Sequence, residues 1–84
     1  MGSQGDELTV SVLAFGPLAE RLGGRLHTCQ MPSGANVRQL VIQLKLEEWI
    51  AFGLSVAVNG QRCDMDNPLT EGDEVALLPP VSGG

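Results

Sequence analysis

The sequence predicts a single α+β domain in which a small mixed β-sheet packs against one main helix. Three observations lead to this prediction. A chain of 84 residues suffices for one small domain. Five short runs are rich in β-branched and large apolar residues and are separated by turn residues, whereas the clearest apolar stripe at helical spacing runs from Val37 to Leu44.

The five predicted strands are bounded by Gly, Pro, Asn or Asp residues. In chain order they cover residues 8–15, 25–31, 54–58, 61–65 and 74–78. Asn59-Gly60 accepts the positive φ angles of a type I′ turn, so the third and fourth strands are predicted to form a hairpin. Pro79-Pro80 cannot donate ladder hydrogen bonds and therefore ends the last strand.

The main helix is predicted to begin after Asn36, which is a favourable N-cap residue. Gln39 stands three residues further on, as in a capping box. Apolar residues then recur at helical spacing, at Val37, Leu40, Val41 and Leu44. Gly53 ends this single helix, while Leu18 and Leu22 indicate a short helical turn after the first strand.

Charge and hydropathy exclude several classes of function. The net charge is −5, from ten acidic and five basic residues, and the basic residues are scattered, so we expect no nucleic-acid binding. No apolar stretch approaches the ~18 residues of a membrane span, so we expect no membrane insertion. The first seven residues lack the basic and apolar regions of a signal peptide, which favours a cytoplasmic protein.

Half of the acidic residues lie close together, and two interpretations of them stay open. They form either a solvated turn or a surface that steers the protein toward a basic partner. The cluster consists of Asp64, Asp66, Glu71, Asp73 and Glu74.

The cysteines and the histidine do not indicate a metal or redox centre. Cys29 and Cys63 lack metal-ligand or redox spacing, and His27 has no Cys, Asp or Glu at ligand spacing. We therefore expect two reduced, structural thiols and no metal site. The sequence also shows no nucleophile–base pair and no phosphate-binding Gly-rich loop with Lys, so a self-contained enzyme is not expected.

Two strands are apolar on both faces, whereas one helix can cover only one side of the sheet. Val12-Leu13-Ala14-Phe15 and Val75-Ala76-Leu77-Leu78 do not alternate between apolar and polar residues. The second face is either covered by loops or binds a partner around Phe15 and Leu78. The second interpretation indicates a protein that works by docking.

The chain ends in Pro-Pro-Val-Ser-Gly-Gly, a segment with distinct chemical properties. Pro79-Pro80 favours an extended exit from the sheet, and Gly83-Gly84 can enter a tunnel too narrow for side chains. From Pro79 the tail reaches at most ~20 Å, enough to place its carboxylate in another protein's active site. Activated as an acyl adenylate, that carboxylate could accept sulfur or form an amide. A frayed, functionless end is the alternative.

Four stretches of the chain resemble one known family. They correspond to its opening strand with the following helix, its third strand and turn, its pre-tail turn, and its C-terminal ending. In this sequence they are Val12-Leu-Ala-Phe15 with Leu18, Glu20 and Gly23; Val56-Ala-Val-Asn59; Leu69-Thr-Glu-Gly-Asp-Glu-Val75; and Ala76-Leu-Leu-Pro-Pro-Val-Ser-Gly-Gly84. The family is the MoaD-like sulfur-carrier subunit of molybdopterin synthase, in the β-grasp group that also holds ThiS and ubiquitin.

The resemblance spans roughly residues 8 to 84 and implies a domain organisation. Residues 8–78 would form a ubiquitin-like β-grasp domain, with a mixed sheet on one main helix. Residues 79–84 would form a flexible, extended tail that ends in Gly-Gly. Residues 1–7 would be a disordered N-terminus, in which Met1-Gly2-Ser3 is compatible with a cloning remnant.

The resemblance also implies a reaction cycle and its partners. An adenylating enzyme would use ATP to activate the carboxylate of Gly84, and a sulfur donor would convert it to a thiocarboxylate. The carrier would then dock on the large subunit of molybdopterin synthase, which supplies the catalytic residues, in an expected heterotetramer. Sulfur would pass there to cyclic pyranopterin monophosphate during molybdenum cofactor biosynthesis. The carrier itself would bind no cofactor.

Individual residues carry these implied roles. Gly84 corresponds to the thiocarboxylate position, and the tail that threads the partner's active site consists of Pro79, Pro80, Val81, Ser82 and Gly83. Phe15 and Leu78 correspond to apolar positions on the docking face. Arg62 lies at another docking position, which is often apolar in the family. Ala19 also departs from the family pattern, in which an Arg is frequent, and the link from helix to third strand is shorter than usual.

Three alternatives to this function remain. The chain could carry sulfur for thiazole formation or tRNA thiolation, although thiazole-forming carriers usually lack Pro-Pro in the tail. It could be a ubiquitin-like modifier that is conjugated to lysines through Gly84. It could also be a β-grasp binding module with an idle tail.

Overall fold

The computed structural model describes residues 7–80, which form a five-stranded mixed sheet with its helices on one face. The elements are β1 (Glu7–Ala14), α1 (Pro17–Leu22), β2 (Leu26–Pro32), α2 (Val37–Gln43), α3 (Glu47–Phe52), β3 (Ser55–Val58), β4 (Gln61–Cys63) and β5 (Glu74–Leu78). The strand order is β2-β1-β5-β3-β4. β1 and β5 are parallel and every other pair is antiparallel, so the predicted α+β class is confirmed.

All strands except β5 differ from the sequence prediction by one or two residues at an end. β1 begins at Glu7, so this residue belongs to the sheet and not to the predicted disordered N-terminus, and Phe15 lies beyond the end of β1. β2 runs from Leu26 to Pro32, one residue later than predicted, and β3 begins at Ser55, one residue later than predicted. β4 ends at Cys63 rather than at Met65. The reason is local, because Oδ1 of Asp64 accepts a hydrogen bond from the Asp66 N–H at 3.1 Å and turns the chain out of the sheet.

The prediction of one continuous main helix is wrong, because the chain forms two short helices, α2 and α3. Lys45, between them, has φ 63°, in the left-handed region. Its N–H donates to the carbonyl of Ile42 at 2.9 Å, and the N–H of Leu46 donates to Val41 at 3.0 Å. These two bonds are those of a Schellman motif, which usually has glycine at the Lys45 position. The break allows Leu46 to be completely buried while Glu47 and Glu48 are exposed. A continuous helix would place Leu46 opposite the apolar stripe and Glu48 on it.

Other local predictions are confirmed. The Asn36 side chain accepts the Gln39 N–H at 2.9 Å, and Oε1 of Gln39 accepts the Asn36 N–H at 3.0 Å, which completes the capping box. Asn59 and Gly60 have φ angles of 52° and 86°, as a type I′ hairpin turn requires. Gly53, with φ 104°, ends α3.

One apolar core lies between the helices and one face of the sheet. It is built from alternate residues of β1, β3 and β5 together with the inner residues of the helices and loops. Its members are Val10, Val12, Ala14, Leu18, Met31, Ala35, Val37, Leu40, Val41, Leu46, Leu54, Val56, Leu69, Val75 and Leu77. Within residues 7–80, no helix is long and apolar enough to cross a membrane.

Candidate docking face and tail exit

The face of the sheet opposite the helices carries a row of neighbouring side chains from all five strands. Strand register places Leu26 beside Leu13, Leu13 beside Ala76, Ala76 beside Ala57, and Ala57 beside Arg62. This row crosses the whole sheet, and no described helix packs on it. We call this surface the open face. Its apolar centre supports the interpretation of a partner-binding surface over that of an internally covered one.

The open face is polar at one end of the strands and apolar at the other. Toward the start of β5, register brings together Glu74, Ser11 and Thr28, which are polar. Toward the end of β5, the apolar row is followed by Leu78 and by Phe15 just beyond β1. The apolar half of the open face therefore lies at the end of the sheet from which the tail leaves.

The three residues predicted to dock lie together at this end. Ala14 is opposite Leu77, so the chain positions of Phe15 and Leu78 follow side by side in the parallel pair. Phe15 keeps 36% of its surface exposed. Ser55 pairs with Leu78, and the guanidinium of Arg62 donates to Oγ of Ser55 at 3.1 Å. The structure thus brings Phe15, Leu78 and Arg62 onto one surface, and their role in docking stays a prediction.

The first two tail residues leave the sheet between two glycines. A methyl group placed on Gly16 would lie 3.6 Å from Cγ of Pro79, and one placed on Gly53 would lie 3.5 Å from Cβ of Pro80. Both proline rings therefore pack against backbone that carries no side chain. A groove of about 460 Å³ adjoins this exit, lined by Gly53, Ser55, Arg62, Leu78, Pro79 and Pro80.

Backbone geometry explains why a glycine occupies position 16. Gly16 has φ 57° and ψ −133°, and the N–H of Leu18 donates to the carbonyl of Phe15 at 3.1 Å. This combination is that of a type II′ turn, whose first central residue is normally glycine. The turn ends β1 and leads directly into α1. The remaining tail residues, Val81, Ser82, Gly83 and the predicted reactive Gly84, lie outside the described residues.

Asp73 ties the turn before β5 to the β3–β4 hairpin. Its carboxylate accepts the Thr70 N–H at 2.8 Å, the Thr70 hydroxyl at 3.0 Å and the Asn59 side-chain amide at 2.8 Å. Burial alone would raise the pKa of the Asp73 carboxyl, but these hydrogen bonds outweigh it and hold the pKa below its ordinary value. Oδ1 of Asn59 in turn accepts the Glu74 N–H at 2.9 Å.

Other members of the acidic cluster also act within the fold. Oε1 of Glu71 accepts the Thr9 N–H at 2.9 Å, and Asp66 forms an ion pair with Arg38 at 3.3 Å. Glu71, Asp73 and Glu74 lie at or just before the start of β5, away from the tail exit at its other end. Asp64 instead follows Cys63, which strand pairing aligns through Val56 with Leu77. The structure therefore favours the solvated-turn interpretation for the three residues near the start of β5.

Neither cysteine of the described residues is activated. Burial raises the pKa of the Cys29 and Cys63 thiols, which keeps them protonated and poorly nucleophilic. Within residues 7–80, no three His, Cys, Asp or Glu residues are placed to hold a metal ion.

Sequence reasoning missed two exposed apolar residues near this surface. Leu26 is 66% exposed, and its place in the row follows only from its pairing with Leu13. Phe52 is 62% exposed at the end of α3, directly before Gly53. The signal available in the sequence was weak, since Phe52 fits the end of an apolar helix stripe equally well.

Comparison with known proteins shows which family the sequence matches. The ThiS family model matches residues 12–84. A curated relative, the molybdopterin synthase sulfur carrier subunit of Escherichia coli strain K12, is 58% identical over 31 residues, covering 37% of this chain and 38% of that protein. The match to this relative thus spans less than half of the relative's length.

Solved structures similar to the chain cover nearly all of it. A protein described as molybdopterin converting factor subunit 1 from Pyrococcus furiosus is 27% identical, with a TM-score of 0.74, over 88% of this chain and 99% of that one. SAMP1 from Haloferax volcanii is 31% identical, with a TM-score of 0.72, over 90% and 99%.

A third structure is a complex of subunits 1 and 2 of the molybdopterin-converting factor from Helicobacter pylori. The matching chain of that complex is 29% identical to this chain, with a TM-score of 0.61, over 92% of this chain and 100% of the matching one. A ubiquitin-based design also matches, with a TM-score of 0.62, so the ubiquitin-like β-grasp fold is confirmed.

Proposed function

The chain belongs to the ThiS family, and from this premise we propose that it is a sulfur carrier of molybdenum cofactor biosynthesis. In this proposal Gly84 is adenylated, converted to a thiocarboxylate, and donates its sulfur to cyclic pyranopterin monophosphate within molybdopterin synthase. The names of the similar proteins from Escherichia coli, Pyrococcus furiosus and Helicobacter pylori support this proposal.

One observation in the structure carries the proposal. The tail leaves the central strand β5 at the apolar end of the open face, and Pro79 and Pro80 are packed against Gly16 and Gly53 as they leave. A docked partner would therefore meet the tail in a defined direction. Presenting the C-terminus to another protein is what a carrier must do.

The chemistry needs only the terminal carboxylate from this chain. Attack of that carboxylate on the α-phosphate of ATP forms an acyl adenylate and releases pyrophosphate. A sulfur nucleophile then displaces AMP, which leaves the thiocarboxylate. The thiocarboxylate sulfur then displaces an oxygen substituent of the pterin precursor to form a thioester. Water cleaves the acyl carbon–sulfur bond of this thioester, which leaves the sulfur on the precursor as a thiolate and returns Gly84 to the carboxylate. In this proposal the catalytic groups belong to the partners, and the raised pKa of the Cys29 and Cys63 thiols, caused mainly by burial, gives these two side chains no role in the steps.

Two kinds of partner follow from this cycle. An adenylating and sulfurylating enzyme would bind ATP and load Gly84, and the large subunit of molybdopterin synthase would receive the tail in a heterotetramer of two carriers and two large subunits. Phe15, Leu78 and Arg62 would contact the partner, while Pro79 to Gly83 thread its active site. The carrier binds no cofactor of its own, and it would act in the cytoplasm.

Intact-mass measurement tests the proposal. The chain is incubated with ATP, a matched adenylating enzyme and a sulfur source. We expect the mass to increase by the replacement of one oxygen with sulfur. Deletion of Gly84, or addition of one residue after it, should abolish the increase without changing the circular dichroism spectrum. If the unaltered chain never shifts under these conditions, the proposal fails.

A second function is favoured by one specific similarity. SAMP1 from Haloferax volcanii is 31% identical to this chain, and a related structure is named small archaeal modifier protein 1. A ubiquitin-like modifier would be conjugated through Gly84 and would give higher-mass adducts in cells. A carrier for thiazole formation or tRNA thiolation would give no such adducts. Copurification of a molybdopterin synthase large subunit would identify the primary function.

A further inference from the structure

We propose that Phe52, at the C-terminal end of α3, belongs to the surface that contacts the partner receiving the tail. This inference rests on the proposed carrier function. It extends the docking surface from the open face of the sheet around its end and onto a helix.

The first step concerns what any such partner must surround. A protein that encloses the tail beyond Pro80 has a rim that contacts whatever borders Pro80. The backbone of Gly53 borders it, since a methyl group there would lie 3.5 Å from Cβ of Pro80. Phe52 directly precedes Gly53 and is 62% exposed. A large, exposed apolar residue is thus adjacent in the chain to the residue that borders the point where the partner must close around the tail.

The second step concerns how Phe52 is held. Its ring meets the ring of Trp49 edge-on, with centroids 5.9 Å apart and planes at 82°. Trp49 itself packs against the core. Because this aromatic pair restrains Phe52 before binding, less side-chain entropy is lost when a partner covers it. Aromatic side chains, Phe among them, are enriched in the buried cores of protein interfaces.

Another exposed apolar residue provides a matched comparison. Ile42, on α2, is 48% exposed and borders a groove with Met31 and Pro32. Pro32 pairs with Glu7 at the start of β1, so this groove lies at the opposite end of the sheet from Leu78. A partner that follows the tail should contact Phe52 and should leave Ile42 uncovered.

The experiment measures the dissociation constant between the full chain and the molybdopterin synthase large subunit of the same organism. Phe52→Ala should weaken binding at least about tenfold. Phe52→Leu, which keeps most of the apolar area, should stay within about threefold, and Ile42→Ala should match the unaltered chain. Thermal unfolding of each variant shows whether the fold is retained.

The outcomes separate this inference from the function on which it rests. Weaker binding by Phe52→Ala alone, with unchanged thermal unfolding, supports a contact with the partner. If Phe52→Ala binds as well as Ile42→Ala while the unaltered chain binds tightly, the inference is overturned and the carrier function stands. If the unaltered chain does not bind the large subunit, the proposed function is overturned and the inference with it.

Discussion

Replacing Lys45 by glycine should stabilise the protein, although it removes a charged residue from the end of a helix. Lys45 occupies the left-handed position of the Schellman motif that separates α2 from α3, with φ 63°. A side chain with a Cβ atom costs about 1–2 kcal/mol in that conformation. Glycine avoids this cost but loses about 0.5–1 kcal/mol more conformational entropy on folding.

The net gain for Lys45→Gly is therefore about 0.5–1 kcal/mol. For a domain of this size, that corresponds to a rise in Tm of roughly 2–8 °C. Lys45→Ala is the matched control, because it removes the same charge and side-chain stem but keeps the Cβ atom. It should lie within about 0.5 kcal/mol of the original protein.

The assay is urea unfolding followed by circular dichroism, together with thermal unfolding, for all three proteins. The decisive quantity is the difference in free energy of unfolding between Lys45→Gly and Lys45→Ala. If the glycine variant were no more stable than the alanine variant, the left-handed strain at Lys45 would not exist. The burial of Leu46 would then have no conformational cost at Lys45 to offset.

Three further predictions concern single side chains. Asp73→Asn should lower stability by about 1.5–3 kcal/mol near pH 7, because an amide cannot accept all three hydrogen bonds. The pKa of Asp73 is lower in the folded protein than in the unfolded chain, where it is about 3.9. The stability that the Asp73 carboxylate contributes is therefore present above about pH 3.9 and disappears as the pH falls through the folded pKa. The urea midpoints of Asp73→Asn and of the original protein should then converge in acid. Gly53→Ala should cost about 1 kcal/mol through its φ of 104° rather than through a clash, whereas Gly24→Ala, a control without positive φ, should change the midpoint little. Trp49→Phe should cost under about 1 kcal/mol by the same assay, because the buried indole N–H has no hydrogen-bond partner among residues 7–80.

Local signals predicted the parts of the fold that depend on neighbouring residues. The capping box at Asn36 and Gln39 and the hairpin turn at Asn59-Gly60 are closed by bonds or angles within a few positions of the chain. Their residue types therefore suffice to predict them. The helix break was missed for the same reason, because a lysine carries no local preference for the left-handed conformation. The only sequence signal for the break is the order of an apolar Leu46 followed by two glutamates, which a continuous helix would place on the wrong faces.

Which residues lie on the open face and beside the tail exit depends on distant parts of the chain. The sequence predicted that Phe15 and Leu78 lie on an uncovered face, because Val12 to Phe15 and Val75 to Leu78 do not alternate. It could not predict that Leu26 joins them, since that depends on the pairing of β2 with β1. Nor could it place Phe52 beside the exit, because the contact between Gly53 and Pro80 joins residues far apart in sequence.

By itself, the sequence determined the α+β class, the five strands and most turns, because each depends on residue types over a short span. The tertiary structure alone decided that β5 lies in the centre of the sheet, parallel to β1, and that Gly16 and Gly53 flank the two prolines at its end. Strand pairing and packing between distant segments fix these relations, since a central strand must satisfy hydrogen bonds on both of its edges. That pairing places the tail at the apolar end of the open face.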